Sequence, residues 1–380
     1  MNKDELEFLI KSNDKRIISI ERDDDSIYPI LNQSTGSIAG GLDIEQTWNS
    51  GARGKNAWIA LIDSGVTLSN SEFSGDRSYL QACFNTNDPR NNRFSTCLQA
   101  DQSGSSPRVY SGRGGSYSNP CGRGRASVGG QAPTHDGTCK HGDWVAAIAL
   151  GAPPGLPGYK GVSYESNIFA INVGSLESVA GTNERKATIE PNDVKKALDA
   201  IAKIGNSYNF VVNASIGSEN TFSGTCDNLN ATATQLIRTL KYQYKIPVIA
   251  GTGNSGSKGS ISWPACVSNV VKVIATRKDT GEIDYISNFA DKQNFNGPWW
   301  LAPGRNIAVP FNGVVSGVQH GTSMAAPHIA GVYSIIRGVI PGTSVDDVTN
   351  FMETCCTPHY DSVLTQPSGT MTSFRRFRFN

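Results

Sequence analysis

Ser323 sits in Gly321-Thr322-Ser323-Met324-Ala325-Ala326-Pro327-His328, a run of small residues feeding an apolar segment, 329–340. The spacing predicts a helix over that segment, so Ser323 falls at a helix N-terminus. Free backbone N–H groups and the helix dipole favour negative charge there. A hydroxyl so placed can attack a carbonyl and leave the oxyanion beside hydrogen-bond donors. Three upstream residues could complete that chemistry. Asp63 directly follows the apolar run 57–62. His141 opens a predicted helix in Lys140-His141-Gly142-Asp143-Trp144, and Asn254 lies in Ala250-Gly251-Thr252-Gly253-Asn254-Ser255-Gly256. An imidazole takes a hydroxyl proton near neutral pH, a carboxylate orients that imidazole, and an amide N–H donates to an oxyanion. Singly, each has an ordinary use: a helix cap, a turn aspartate, a solvated histidine, a left-handed turn. Together, each at a strand end or helix start, they point to acyl transfer. The order Asp, His, Ser is one of three unrelated orders that build this triad.

Positioning these groups needs strands that end where helices begin. Short apolar runs at 57–62, 168–173, 210–212, 246–250 and 270–274 read as strands buried on both faces. Between them, 191–204 carries Val194, Ala197, Leu198 and Ile201 at helical spacing behind Pro191 and Asp193, and 227–245 reads the same way. Alternation of such strands and helices predicts a parallel α/β sheet, with chemistry at the carboxyl ends of its strands. Residues 83–139 break the pattern. They are rich in Gly, Ser, Asn, Arg and Cys and read as one long surface insertion.

These motifs resemble those of the subtilisin-like serine peptidases, the subtilases. The stretch Gly321 through Gly331 resembles the family's serine signature, Ile62-Asp63-Ser64-Gly65-Val66 its aspartate motif and Gly251-Thr252-Gly253-Asn254 its oxyanion loop. Ser287-Asn288-Phe289-Ala290 and Leu301-Ala302-Pro303-Gly304 match further landmarks, and the likeness spans about 42–356 outside the insertion. The resemblance implies a three-layer α/β fold, with a central, mostly parallel sheet and helices on both faces. It implies Ser323 as nucleophile, His141 as general base and then acid, Asp63 fixing the imidazole tautomer, and Asn254 donating to the oxyanion with the Ser323 N–H. It assigns substrate binding to Ser215, Ile216 and Gly217 on one side and Gly251, Thr252 and Gly253 on the other. Polypeptide is then the substrate, bound by main-chain pairing. Small wall residues leave room for a large apolar side chain.

Three departures stand out. The family's His-Gly-Thr-His is here His141-Gly142-Asp143-Trp144, so Asp143 either raises the imidazole pKa or caps the helix. His320, three residues before the serine, replaces a small residue and is either a spectator or narrows the cleft. The family's calcium loop is replaced by Gly151-Ala152-Pro153-Pro154-Gly155-Leu156-Pro157-Gly158, which lacks side-chain oxygens, so structural calcium is left open and the metal set unknown. The chemistry itself requires no cofactor. The resemblance also implies a Cys226–Cys266 disulfide, with the other six cysteines paired among the insertion and the C-terminal end. Residues 16–25 resemble the closing strand and acidic tail of a propeptide, so 1–41 is expected to be a propeptide remnant or N-terminal arm, cleaved between about 25 and 42. The catalytic domain is then 42–356, and 357–380 a C-terminal extension whose basic and aromatic stretch, 374–379, reads as an edge strand.

A net charge of +1 over 380 residues argues against global attraction to nucleic acid or a membrane surface, and no run is long enough to span a bilayer. The charged first residues lack the apolar core of a signal peptide, whereas eight cysteines favour a secreted or periplasmic location. A monomer is expected. Two other readings accompany the endopeptidase: a dedicated processing or macrocyclising protease with restricted access, and a catalytically silent binding protein. The Arg-Gly stretches at 111–115 and 122–125 resemble RNA-binding segments, but the neutral charge disfavours nucleic acid as a partner.

Overall fold

The computed structural model describes residues 44–91, 93–97, 109–112, 136–178, 185–354, 359–360, 364–365, 371–372 and 375–376. The N-terminal arm, most of the insertion including 113–115 and 122–125 of the Arg-Gly stretches, His135, Cys121, Cys355 and Cys356 lie outside the described residues.

The core is a ten-stranded sheet. Its strands, in chain order, are β1 (Trp58–Asp63), β2 (Tyr79–Cys83), β3 (Tyr110–Ser111), β4 (Asn167–Asn172), β5 (Phe210–Ala214), β6 (Val248–Gly251), β7 (Val271–Arg277), β8 (Trp299–Arg305), β9 (His359–Tyr360) and β10 (Arg375–Arg376). Across the sheet they run β9-β10-β8-β7-β6-β5-β1-β4-β2-β3. Pairing is parallel except for β2 with β3 and β9 with β10. Each central strand is buried on both faces, as the continuous apolar runs require.

Helices cover both faces. They are α1 (Glu45–Asn49), α2 (Asp136–Leu150), α3 (Pro191–Ile204), α4 (Ala231–Tyr242), α5 (Thr322–Val339) and α6 (Val345–Thr354). Trp58, Ala60 and Ile62 of β1 share a core with Val194, Ala197 and Ile201 of α3 and Ile237 and Leu240 of α4. The alternate residues Ile59 and Leu61 pack against Val145 and Ile148 of α2. On that same face Val211 of β5 and Ile249 of β6 meet Ile329, Val332 and Ile336 of α5. The arrangement is the expected three-layer α/β fold. Side chains alternate along a strand, so Asp63 projects to the side of Ile59 and Leu61, towards α2.

Several boundaries differ from expectation. Helix α2 begins at Asp136, so His141 lies within it rather than opening it. Among the described residues, the insertion is tied into the fold, in part by its cysteines. Cys83 ends buried β2, Cys97 is joined to it by a disulfide, and Tyr110–Ser111 returns to pair with β2. The Cys226–Cys266 disulfide is present, and Arg375–Arg376 within 374–379 forms an edge-region strand beside β8. Strands β2 and β8 carry polar residues or glycine and proline among their apolar ones, so neither reads as a plain apolar run.

Candidate active site

Asp63 is the last residue of β1 and is 1% exposed. Its carboxylate accepts from His141 Nδ1 at 2.9 Å (Oδ1) and 3.1 Å (Oδ2), and the Ser64 N–H donates to Oδ1 at 2.7 Å. The approach of α2 to β1 depends on Gly142: a Cβ there would lie 2.0 Å from the Gly65 carbonyl oxygen and 3.3 Å from Asp63 Oδ1. Burial disfavours the imidazolium, but the Asp63 charge and hydrogen bond outweigh it, so the His141 pKa lies above its ordinary value. With Nδ1 held by Asp63, Nε2 is the nitrogen left for another partner.

Ser323 is the second residue of α5. Thr322 precedes it and is clamped: its N–H and Oγ1 donate to Asn254 Oδ1 at 2.8 and 3.0 Å, and its Oγ1 accepts from the Gly253 N–H at 3.1 Å. Because Asn254 Oδ1 is occupied by Thr322, the amide NH2 is the end left free. The turn that presents Asn254 needs glycine at 253, where φ is +107° and a Cβ would meet Ser262 Oγ at 2.3 Å. Asn288 fixes the same loop by accepting from the N–H groups of Ser255 and Ser257 and the Ser255 hydroxyl. Ser215, just past β5, donates from Oγ to the Ser323 carbonyl at 2.9 Å.

A cavity of about 390 Å³ brings His141, Asn254 and Ser323 together with Ser215, Ile216, Gly217, Gly251 and Gly253. A second cavity, of about 290 Å³, adjoins it along 215–218 and is lined by Asp63, His141, Ala187, Ile189 and Trp263 among others. All four expected catalytic residues therefore face one cleft or its edge.

Two expectations change and one is narrowed to a single alternative. Thr252 is fully buried and its hydroxyl donates to the Val273 carbonyl across the sheet, so it does not wall the cleft. His320 does not line the cavity, and its Nδ1 accepts from the Asn306 N–H. Asp143 neither caps α2 nor meets His141. It is buried and its two oxygens accept from the Thr67 N–H at 2.6 Å and the Thr67 hydroxyl at 3.0 Å. Burial pushes its carboxyl up to about 7, against the Thr67 hydrogen bonds and with the Glu72 and Asp63 charges adding to the rise. Asp143 thus ties the loop after Asp63 to the helix bearing His141. Sequence reading also missed Ser218, Glu219, Ser255 and Ser262, which line the larger cavity; each adjoins or lies near an assigned segment.

Among the described residues, no three His, Cys, Asp or Glu side chains cluster to hold a metal, and no helix is long and apolar enough to cross a membrane. Over 151–159, the loop closes on itself through backbone bonds, Leu156 N–H to the Pro153 carbonyl and Tyr159 N–H to the Leu156 carbonyl.

The model of the subtilase family matches residues 54–369. M-protease of Shouchella clausii (strain KSM-K16) is 29% identical over 242 residues, covering 62% of this chain and 54% of that protein. Subtilisin Savinase of Lederbergia lenta is 28% identical over 242 residues, covering 62% and 77%. Minor extracellular protease Epr of Bacillus subtilis (strain 168) is 23% identical over 297 residues, covering 78% and 34%. The chain thus spans about half the length of M-protease. Among solved structures, Sphericase aligns with a TM-score of 0.59 at 18% identity, covering 89% of this chain and 96% of that chain. The S41 psychrophilic protease aligns at 0.58 and 23%, covering 86% and 91%; both likenesses concern the fold. The match over 54–369, taken with the motifs and the fold that carries them, means that this chain belongs to the subtilase family.

Proposed function

We propose that the chain is a serine endopeptidase that cleaves peptide bonds through an acyl-enzyme on Ser323. The observation carrying this reading is the Asp63–His141 hydrogen bond beside a cavity that also holds Ser323 and Asn254. His141 Nε2 takes the Ser323 proton as Oγ attacks the scissile carbonyl. Asp63 holds the tautomer with Nδ1 protonated and stabilises the imidazolium that forms. The Asn254 amide and the Ser323 N–H donate to the oxyanion. His141 then returns the proton to the leaving amine, the C–N bond breaks, and water repeats the cycle to release the acid. Every step draws on this chain's own side chains and backbone, without a cofactor.

The segments Ser215–Gly217 and Gly251–Gly253 bracket the cleft as the two stretches of backbone against which an extended polypeptide would lie. We assign 42–356 as the catalytic domain, with 1–41 as its N-terminal arm or propeptide remnant and 357–380 as an extension. Two disulfides among the described residues and a relative named as extracellular support work outside the cytosol. The test is turnover of an unselected denatured protein, with products read by mass spectrometry. Many cuts at varied sequences are expected. One cut at a single site would replace this reading with a dedicated processing protease, and no cut by folded protein would remove the peptidase.

A further inference from the structure

The larger cavity is unusual in its chemistry. Its lining holds one carboxylate, Glu219, and no lysine or arginine. Glu219 is exposed and its carboxylate has no ion pair or hydrogen bond among the described residues. The other side chains are mostly hydroxyls and amides, and Ile216 is the one sizeable apolar group.

Most of those hydroxyls are engaged. Ser215 donates to the Ser323 carbonyl, Ser218 to the Asn220 carbonyl and Ser255 to Asn288. Ser262 differs. Its side chain makes no hydrogen bond among the described residues, although the residue is 3% exposed. A Cβ at Gly253 would lie 2.3 Å from its Oγ and one at Gly217 4.0 Å, so this hydroxyl sits between the two glycine walls. The Ser218 N–H donates to the Trp263 carbonyl at 2.9 Å and the Trp263 N–H to Ser218 Oγ at 3.1 Å. Glu219 and Ser262 therefore flank one tie between the two loops.

A side chain entering beside Ser323 is thus bordered by bare glycine backbone and by an unpaired hydroxyl and an unpaired carboxylate. Methylenes suit the first environment, and a cation suits the second. A purely apolar side chain would desolvate Ser262 without giving it a partner. An acidic one would face Glu219.

We propose that this cavity selects a lysine or arginine side chain on the amino side of the scissile bond, with Glu219 as its anionic partner and the Ser262 hydroxyl as an acceptor. The proposal rests on the peptidase reading and specifies its substrate class. It departs from the large apolar residue that the small walls alone suggested.

The test is kcat/KM on matched peptides that differ at that one residue: lysine, arginine, norleucine, phenylalanine and glutamate. Lysine is expected to exceed norleucine, its uncharged near-isostere, by roughly tenfold, with the ratio falling as salt is raised. Glu219→Gln should bring the lysine-to-norleucine ratio close to one, and Glu219→Lys should turn the preference towards glutamate. A lysine-to-norleucine ratio near one in the wild type, or a ratio unchanged by Glu219→Gln, overturns the proposal. Cleavage of norleucine peptides with a flat ratio removes only this specificity. No cleavage of any peptide, together with no reaction of Ser323 with a fluorophosphonate, removes the peptidase reading and the proposal with it.

Discussion

The Ser215 hydroxyl donates to the Ser323 carbonyl at 2.9 Å, and Pro327 explains why that carbonyl is available. In an α-helix the carbonyl of residue 323 would accept from the N–H of residue 327, which proline lacks. The residue proposed as nucleophile therefore sits on a turn with a missing rung, and the segment proposed to bind substrate supplies the donor. Ser215→Ala should lower kcat roughly fivefold, in line with about 1 kcal/mol for one hydrogen bond. In a Pro327→Ala background the helix regains its own donor, so the loss on Ser215→Ala should shrink. A double-mutant cycle on kcat measures the coupling, and strictly additive losses would contradict it.

Asp63 bonds His141 Nδ1, and on the proposed mechanism it sets both the tautomer and the basicity of the imidazole. The Asp63 charge and hydrogen bond raise the imidazole pKa despite burial. Activity needs the neutral base, so the acid limb of kcat/KM should have its midpoint above the ordinary histidine value. Asp63→Asn should move that midpoint down and reduce kcat by about 10⁴. A pH–rate profile on both proteins checks this, and an unmoved limb would speak against Asp63 as the orienting group.

Asn254 presents its NH2 to the cleft because Thr322 occupies its oxygen. Asn254→Ala should therefore reduce kcat by about 10² to 10³ with little change in KM, since the donor acts on the oxyanion. Steady-state kinetics on one peptide decides the matter. A rise in KM at constant kcat would make Asn254 a substrate-binding residue instead.

Asp143 couples stability to pH. Its folded carboxyl, pushed up to about 7 by burial, keeps a proton that the unfolded chain releases near 4. Between those values the native state binds more protons, so this group's contribution to stability falls as pH rises from about 4 to 7. Asp143→Asn can still accept from the Thr67 N–H and can donate to its hydroxyl, without titrating. Urea midpoints across that range should fall more steeply for the wild type than for the variant. Equal slopes would contradict the assignment.

The candidate constellation that the structure brings together was legible in the sequence because each residue lies where a chemical motif meets a structural boundary. Asp63 ends an apolar run and Ser323 begins a helical one, so period and punctuation locate both. Strands β2 and β8 were missed because polar, glycine or proline residues interrupt their apolar runs. Thr252 was assigned to the wall by its neighbours, yet alternation along the chain turns its side chain to Val273. Asp143 could not be read locally. Its partner, Thr67, is 76 residues away, and only the packing of α2 on β1 brings them together.

The most direct measurement is covalent labelling of the folded chain with a fluorophosphonate, beside Ser323→Ala, with mass spectrometry and peptide hydrolysis read on the same samples. The account predicts one added group on the peptide containing Ser323, loss of hydrolysis in step with labelling, and neither labelling nor appreciable hydrolysis in the variant. Hydrolysis at the wild-type rate by folded Ser323→Ala, or labelling at another residue that accounts for the inactivation, would contradict it.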